Sequence, residues 1–104
     1  MNRETDREWA ATGLAGIERS LFRGNDAGGR TSVVRLKAGA CFLRHAHEGG
    51  ENVLVLAGTV RLAGAKLNRG DHLLAEAGEE HDVVALSNAF IFIASQRATP
   101  LIGA

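Results

Sequence analysis

The sequence has no tyrosine and a single cysteine, Cys41, among its 104 residues. The first absence removes any phenolic general acid or phenolate ligand from the chemistry open to the chain. The second rules out an intrachain disulfide. Charge of one sign is also lacking: twelve Lys and Arg balance twelve Asp and Glu, for a formal net charge of zero. Nucleic-acid-binding modules usually carry a clustered basic excess, so no nucleic-acid partner is expected. Long apolar runs are missing too, and none approaches the roughly 20 residues that cross a bilayer, so no membrane partner is expected. The opening Met-Asn-Arg-Glu-Thr-Asp-Arg-Glu is charged and lacks the apolar centre of a secretory signal. With the lone cysteine, this points to a cytoplasmic protein.

Hydrophobic residues make up 45% and charged residues 23% of the chain, the balance of a folded domain rather than a disordered one. One domain of this length buries somewhat over ~60% of its unfolded surface. Its core is modest, and a subunit interface or a bound metal would help it. We divide the chain into an N-terminal arm, residues 1–12, and a single domain, residues 13–104. Thirteen glycines punctuate short runs rich in Val, Ile, Leu and Phe. These runs predict strands over 17–23, 31–37, 42–47, 52–56, 59–63, 72–75, 82–86 and 90–94. Ala57-Gly58-Thr59 and Leu62-Ala63-Gly64-Ala65 look like hairpin corners. No strong helical pattern follows Ala11, and the arm reads as a short helix or an extended segment. Many short strands with glycine-rich turns predict an all-β sandwich or barrel, and a jelly roll fits.

Two of these runs are apolar on both faces. Val53 and Val55 alternate with Leu54 and Leu56, and residues 90–93 read Phe-Ile-Phe-Ile. A strand apolar on both sides is covered on both sides. One small sandwich has a single inner face, so the second cover is expected to be a partner subunit and the protein a homodimer.

Residues 39–58 carry the chemistry. They read Gly-Ala-Cys-Phe-Leu-Arg-His-Ala-His-Glu-Gly-Gly-Glu-Asn-Val-Leu-Val-Leu-Ala-Gly. On an extended strand His45 and His47 share one face with Leu43, and Phe42, Arg44 and Ala46 take the other. We expect the histidine face to turn inward. Two inward imidazoles bring lone pairs that an apolar core leaves unsatisfied, at a cost. A metal ion satisfies both, and Glu51 supplies a carboxylate beside them.

This segment resembles the first motif of the cupin family: Gly, five residues, His-x-His, three residues, Glu, six residues, Gly. Gly39, His45, His47, Glu51 and Gly58 fill every fixed position. The family's second motif runs Gly, five residues, Pro-x-Gly, two residues, His, three residues, Asn. Here Gly70, Gly78 and His81 stand in place, while Glu76 replaces the proline and Ala85 the asparagine. The resemblance implies a cupin-type jelly roll and one divalent metal held by His45, His47, Glu51 and His81. Three nitrogens and a carboxylate suit zinc, iron, manganese or nickel alike.

Trp9, the Gly16-Ile17-Glu18 segment and the run His47-Glu48-Gly49-Gly50-Glu51 carry the likeness further. They resemble the cupin domain of the ChrR-type anti-sigma factors and its stand-alone relatives, over about residues 9–94. Those factors carry an additional zinc-binding helical domain that grips the sigma factor, and 104 residues leave no room for it. Sigma binding is therefore not carried over.

Two functions follow from the resemblance. In the first, the chain is a metal-dependent enzyme of dioxygenase type acting on a small organic substrate. The substrate binds the ion through an enolate oxygen, in a dry pocket lined by Leu43, Val53, Val55, Val83 and Ala85. In the second, the chain is a sensor whose metal, zinc in that case, responds to an oxidant or ligand. Among the other residues, Cys41 is expected to be a small buried hydrophobe and His72 a surface residue. One of Glu48, Glu76, Glu79 and Glu80 is a candidate hydrogen-bond acceptor for a ligand imidazole.

Overall fold

The computed structural model describes residues 3–24, 28–45, 50–76, 80–97 and 101–102, with side chains at 43–45, 80–81, 96–97 and 101–102 outside that description. Within it the glycine-bounded runs become strands, eight of them where the sequence pattern predicts. They are β2 (Ile17–Gly24), β3 (Gly28–Leu36), β4 (Cys41–His45), β5 (Glu51–Ala57), β6 (Thr59–Leu62), β8 (His72–Ala75), β9 (Glu80–Ala85) and β10 (Ala89–Arg97). Three more were not foreseen: β1 (Ala10–Ala11), β7 (Ala65–Asn68) and β11 (Leu101–Ile102). β7, Ala-Lys-Leu-Asn, alternates poorly and is mostly exposed. It is recruited by pairing with β6 rather than by its own composition.

The strands form two antiparallel sheets. One has six strands in the order β1-β2-β3-β10-β5-β8, the other five in the order β11-β4-β9-β6-β7. This is the expected all-β jelly roll. Between the sheets lies one apolar cluster built from alternate residues of both. Ile17, Val34, Leu36, Val53, Val55, Ile91 and Ile93 come from the larger sheet; Phe42, Val60, Leu62, Val83 and Ala85 come from the smaller. Val53, Val55, Val83 and Ala85, expected to line a pocket, are packed into this cluster.

Two turns show why their residues are there. At the β6–β7 corner Ala63 has φ 51° and Gly64 φ 80°, the paired left-handed conformations of a type I′ hairpin. Alanine is strained in that region and glycine is not. Ala63→Gly should therefore stabilise the protein by about 0.5–1 kcal/mol, read as a higher midpoint in urea. Gly58, between β5 and β6, has φ 78°, and a Cβ built there would lie 2.2 Å from the Asn88 carbonyl oxygen. No side chain fits.

The far face of the six-stranded sheet is covered in part by the chain itself. Ser20, Val33, Phe92 and Leu54 line up across β2, β3, β10 and β5 on that face. Val33 is fully buried although it stands outside the core cluster. The chain's own arm supplies cover here. A single 3₁₀ turn, Glu4–Asp6, leads to Arg7, whose guanidinium sits 5.8 Å from the Phe22 ring centroid. Trp9 then packs on Phe90 with ring centroids 6.0 Å apart. Arg35 stacks on Trp9 at 4.2 Å and is held by Glu18 at 2.9 Å. The arm thus carries out part of the work assigned to a partner. Leu56 and Leu74 remain exposed.

Candidate metal centre

Glu51 opens β5, and its alternation with Val53 and Val55 turns it toward the space between the sheets. It is 0% exposed, the one buried charged residue among the described side chains. A carboxylate is almost never fully buried unless it is paired or binds a cation. β10 on one side and β8 on the other hold its backbone, opposite Ser95 and Ala75. Of the four residues implied as ligands, it is the one whose side chain is described, and it occupies the position the motif demands.

The backbone of two others is in place. β4 and β9 pair so that His45 stands opposite Glu80 and His81 opposite Arg44. One register step separates the two positions, so in a regular ladder His81 has the parity of Arg44 and buried Phe42, and His45 that of Glu80 and Leu43. They belong to the five-stranded sheet and Glu51 to the six-stranded one. The side chains of His45 and His81, and the whole of His47, lie outside the described residues. So do Glu48, Glu79 and the Glu80 side chain. Among the described residues no three His, Cys, Asp or Glu side chains cluster as metal ligands would.

The expected facing of β4 needs correction. The sequence pattern put Leu43 with the histidines on the inner face and Phe42 on the other. In the structure Phe42 is completely buried in the core, paired with buried Val83, and Cys41 is exposed. Cys41 is therefore not the small buried hydrophobe expected. The misreading has a physical source. Phe42 and Leu43 are adjacent apolar residues, and period-two alternation alone does not decide which of them the core takes. His72 is exposed as expected, and its Nε2 lies 2.8 Å from the Asn52 Oδ1.

Both end glycines of the first motif have left-handed backbones, but for different reasons. Gly39 has φ 86° with open space where a Cβ would stand. Its N–H donates to the Ala85 carbonyl at 2.8 Å, which ties the turn before β4 to β9. Gly58 is confined by backbone on the side a Cβ would occupy. Gly16, Ile17, Glu18 and Trp9 are likewise structural. Gly16 has φ 74° and accepts a hydrogen bond from Lys37 N–H at 2.9 Å. Ile17 is core, and Glu18 and Trp9 belong to the clamp on the arm.

A family model described as the ChrR Cupin-like domain matches residues 2–99. No curated protein matches the sequence significantly. Among solved structures, KdgF from a Halomonas species superposes with a TM-score of 0.75 at 25% identity, covering 91% of each chain. The complex of Rhodobacter sphaeroides SigE with the anti-sigma ChrR gives 0.78 at 24% identity. That match covers 90% of this chain and 51% of the other, so the present chain spans about half its length. An acetylacetone dioxygenase from Acinetobacter johnsonii gives 0.75 at 13% identity over 90% of this chain and 70% of that one, a likeness of fold. No helix among the described residues is long and apolar enough to cross a membrane.

Proposed function

We propose, since the chain belongs to the ChrR cupin-like domain family, that it holds one divalent transition metal through His45, His47, Glu51 and His81. With that metal it acts on a small organic substrate as a dioxygenase-type enzyme. The observation that carries it is the complete burial of Glu51 at the motif's carboxylate position. The donor chemistry fits: a hard carboxylate oxygen with imidazole nitrogens is what a borderline transition metal takes. When bound, such an ion polarises a coordinated substrate oxygen and keeps positions open for water or a second ligand. The protein's part is to fix the donors and keep the surroundings dry. Val53, Phe42 and Val83, each at most 1% exposed, do the latter from both sheets.

A second reading is favoured by the family match itself. In it the metal is zinc and the domain reports an oxidant or ligand to a separate partner. Elemental analysis of protein purified without a chelating tag distinguishes the two, with iron, manganese or nickel supporting the enzyme and zinc the sensor. Oxygen uptake with a panel of 1,3-diketones tests the enzyme directly. Protein with less than a tenth of an equivalent of any transition metal, even after reconstitution, would sink both. The homodimer is a companion proposal: the exposed Leu56 and Leu74 are apolar surface that a second copy would cover. Light scattering at micromolar concentration should give twice the 11.0 kDa chain mass, and a monomer mass would refute it.

A further inference from the structure

The six-stranded sheet aligns one row of residues that the metal reading does not use. Across β5, β10 and β3, Glu51 stands opposite Ser95, and Ser95 opposite Arg30. Directly opposed residues of antiparallel strands face the same way. The neighbouring row, Val53, Ile93 and Ser32, is buried, and Val53 and Ile93 belong to the core. Arg30 and Ser95 therefore share the inward face of Glu51. Two strand spacings separate Arg30 from Glu51, about 10 Å, while Arg30 itself remains exposed. The Ser95 hydroxyl between them is 3.5 Å from the Arg30 carbonyl oxygen. A cleft of about 140 Å³ opens at these strand ends, lined by Arg23, Gly24, Gly29, Arg30, Thr31 and Ser95.

The charge on this face is one-sided. Among the described residues of the six-stranded sheet, its inward-facing charged side chains are Glu51, Arg19 and Arg30, the last two on β2 and β3. Arg19 stands opposite core residue Val34, four residues along β3 from Arg30, so Arg30 is the described inward guanidinium at the end of the sheet where Glu51 lies. Guanidinium recognises carboxylates by paired, charge-assisted hydrogen bonds.

We propose that Arg30 is a specificity residue that binds a carboxylate on the substrate, at the end remote from the metal. The substrate is then a small organic acid rather than the largely apolar molecule that the core residues alone suggest. The proposal rests on the metal reading above, because the metal holds the other end of the molecule. Ser95 lies between the two ends, its hydroxyl donating to the Arg30 carbonyl oxygen.

The test compares glutarate with its monoamide, glutaramate, by titration calorimetry on metal-reconstituted protein, with metal content measured for every sample. Each has one carboxylate for the metal, and they differ at the remote end. Glutarate should bind at least about tenfold more tightly than glutaramate. Arg30→Gln should remove that preference, chiefly by weakening glutarate, with metal content and melting temperature unchanged. Arg30→Lys should restore part of it, and added salt should shrink it. Equal affinities in the metal-loaded wild type, or a preference that survives Arg30→Gln, would overturn the role of Arg30 and leave the metal reading standing. Failure of the wild type to retain metal would overturn both.

Discussion

Gly58→Ala should destabilise the protein by about 3–4 kcal/mol, and its melting temperature should fall by about 15 °C. Two separate costs add. Alanine at φ 78° occupies the left-handed region at about 1–2 kcal/mol. The new methyl group would also stand 2.2 Å from the Asn88 carbonyl oxygen and 2.9 Å from the Ala89 Cα. Both are backbone atoms of the turn into β10, so relief requires that turn to move. A matched control separates the terms. Gly64 has φ 80° with nothing within 4 Å of its would-be Cβ, and Gly64→Ala should cost only the first term. Gly39→Ala should behave like the control. Equal losses at Gly58 and Gly64, measured as urea midpoints, would show that the close approach to Asn88 is not what holds this position.

Glu51→Gln should abolish stoichiometric metal binding and lower the melting temperature at the same time. The substitution keeps shape and removes charge, so a cavity is not the cause of any loss. A metal present at a hundred times its dissociation constant stabilises the native state by about 2.7 kcal/mol, or about 10 °C in a domain of this size. The difference between wild type and variant should be of this order in excess metal. In excess chelator it should close, because the stabilisation comes from coupled binding and folding. The chelator should leave the variant unmoved. His47→Ala, chosen on the motif alone, should lose metal in the same way. A Glu51→Gln protein with full metal content and an unchanged melting temperature would remove Glu51 from the site.

How far the sequence could be read depended on which physical signal each feature leaves. Strands with a clear period or a dense β-branched run, such as β5 and β10, were legible because burial dictates their composition. β1 and β7 were not, since each is held by its pairing partner rather than by what it buries. Glu51 was legible from the motif spacing, while its inward facing with Val53 and Val55 was not, because both faces of that strand are apolar. The facing of β4 was misjudged because Phe42 and Leu43 are both apolar and the core takes one. The arm's role was hidden for another reason. Trp9, Glu18, Arg35 and Phe90 lie on four different segments, and only the fold brings them together. Arg30 left no local signal, since its alignment with Glu51 depends on the register of three strands that are distant in sequence.

The clamp on the arm also gives the protein a built-in optical gauge. Trp9 is the only indole in the chain, and it lies on the outer surface of the sheet, stacked against Arg35 and Phe90. The intrinsic emission therefore describes the attachment of the first dozen residues and is blind to the interior. A heating or urea curve followed by fluorescence records the arm peeling away, whereas one followed by the far-ultraviolet signal of the strands records the loss of the sandwich. Any gap between the two curves measures how independently the arm lets go.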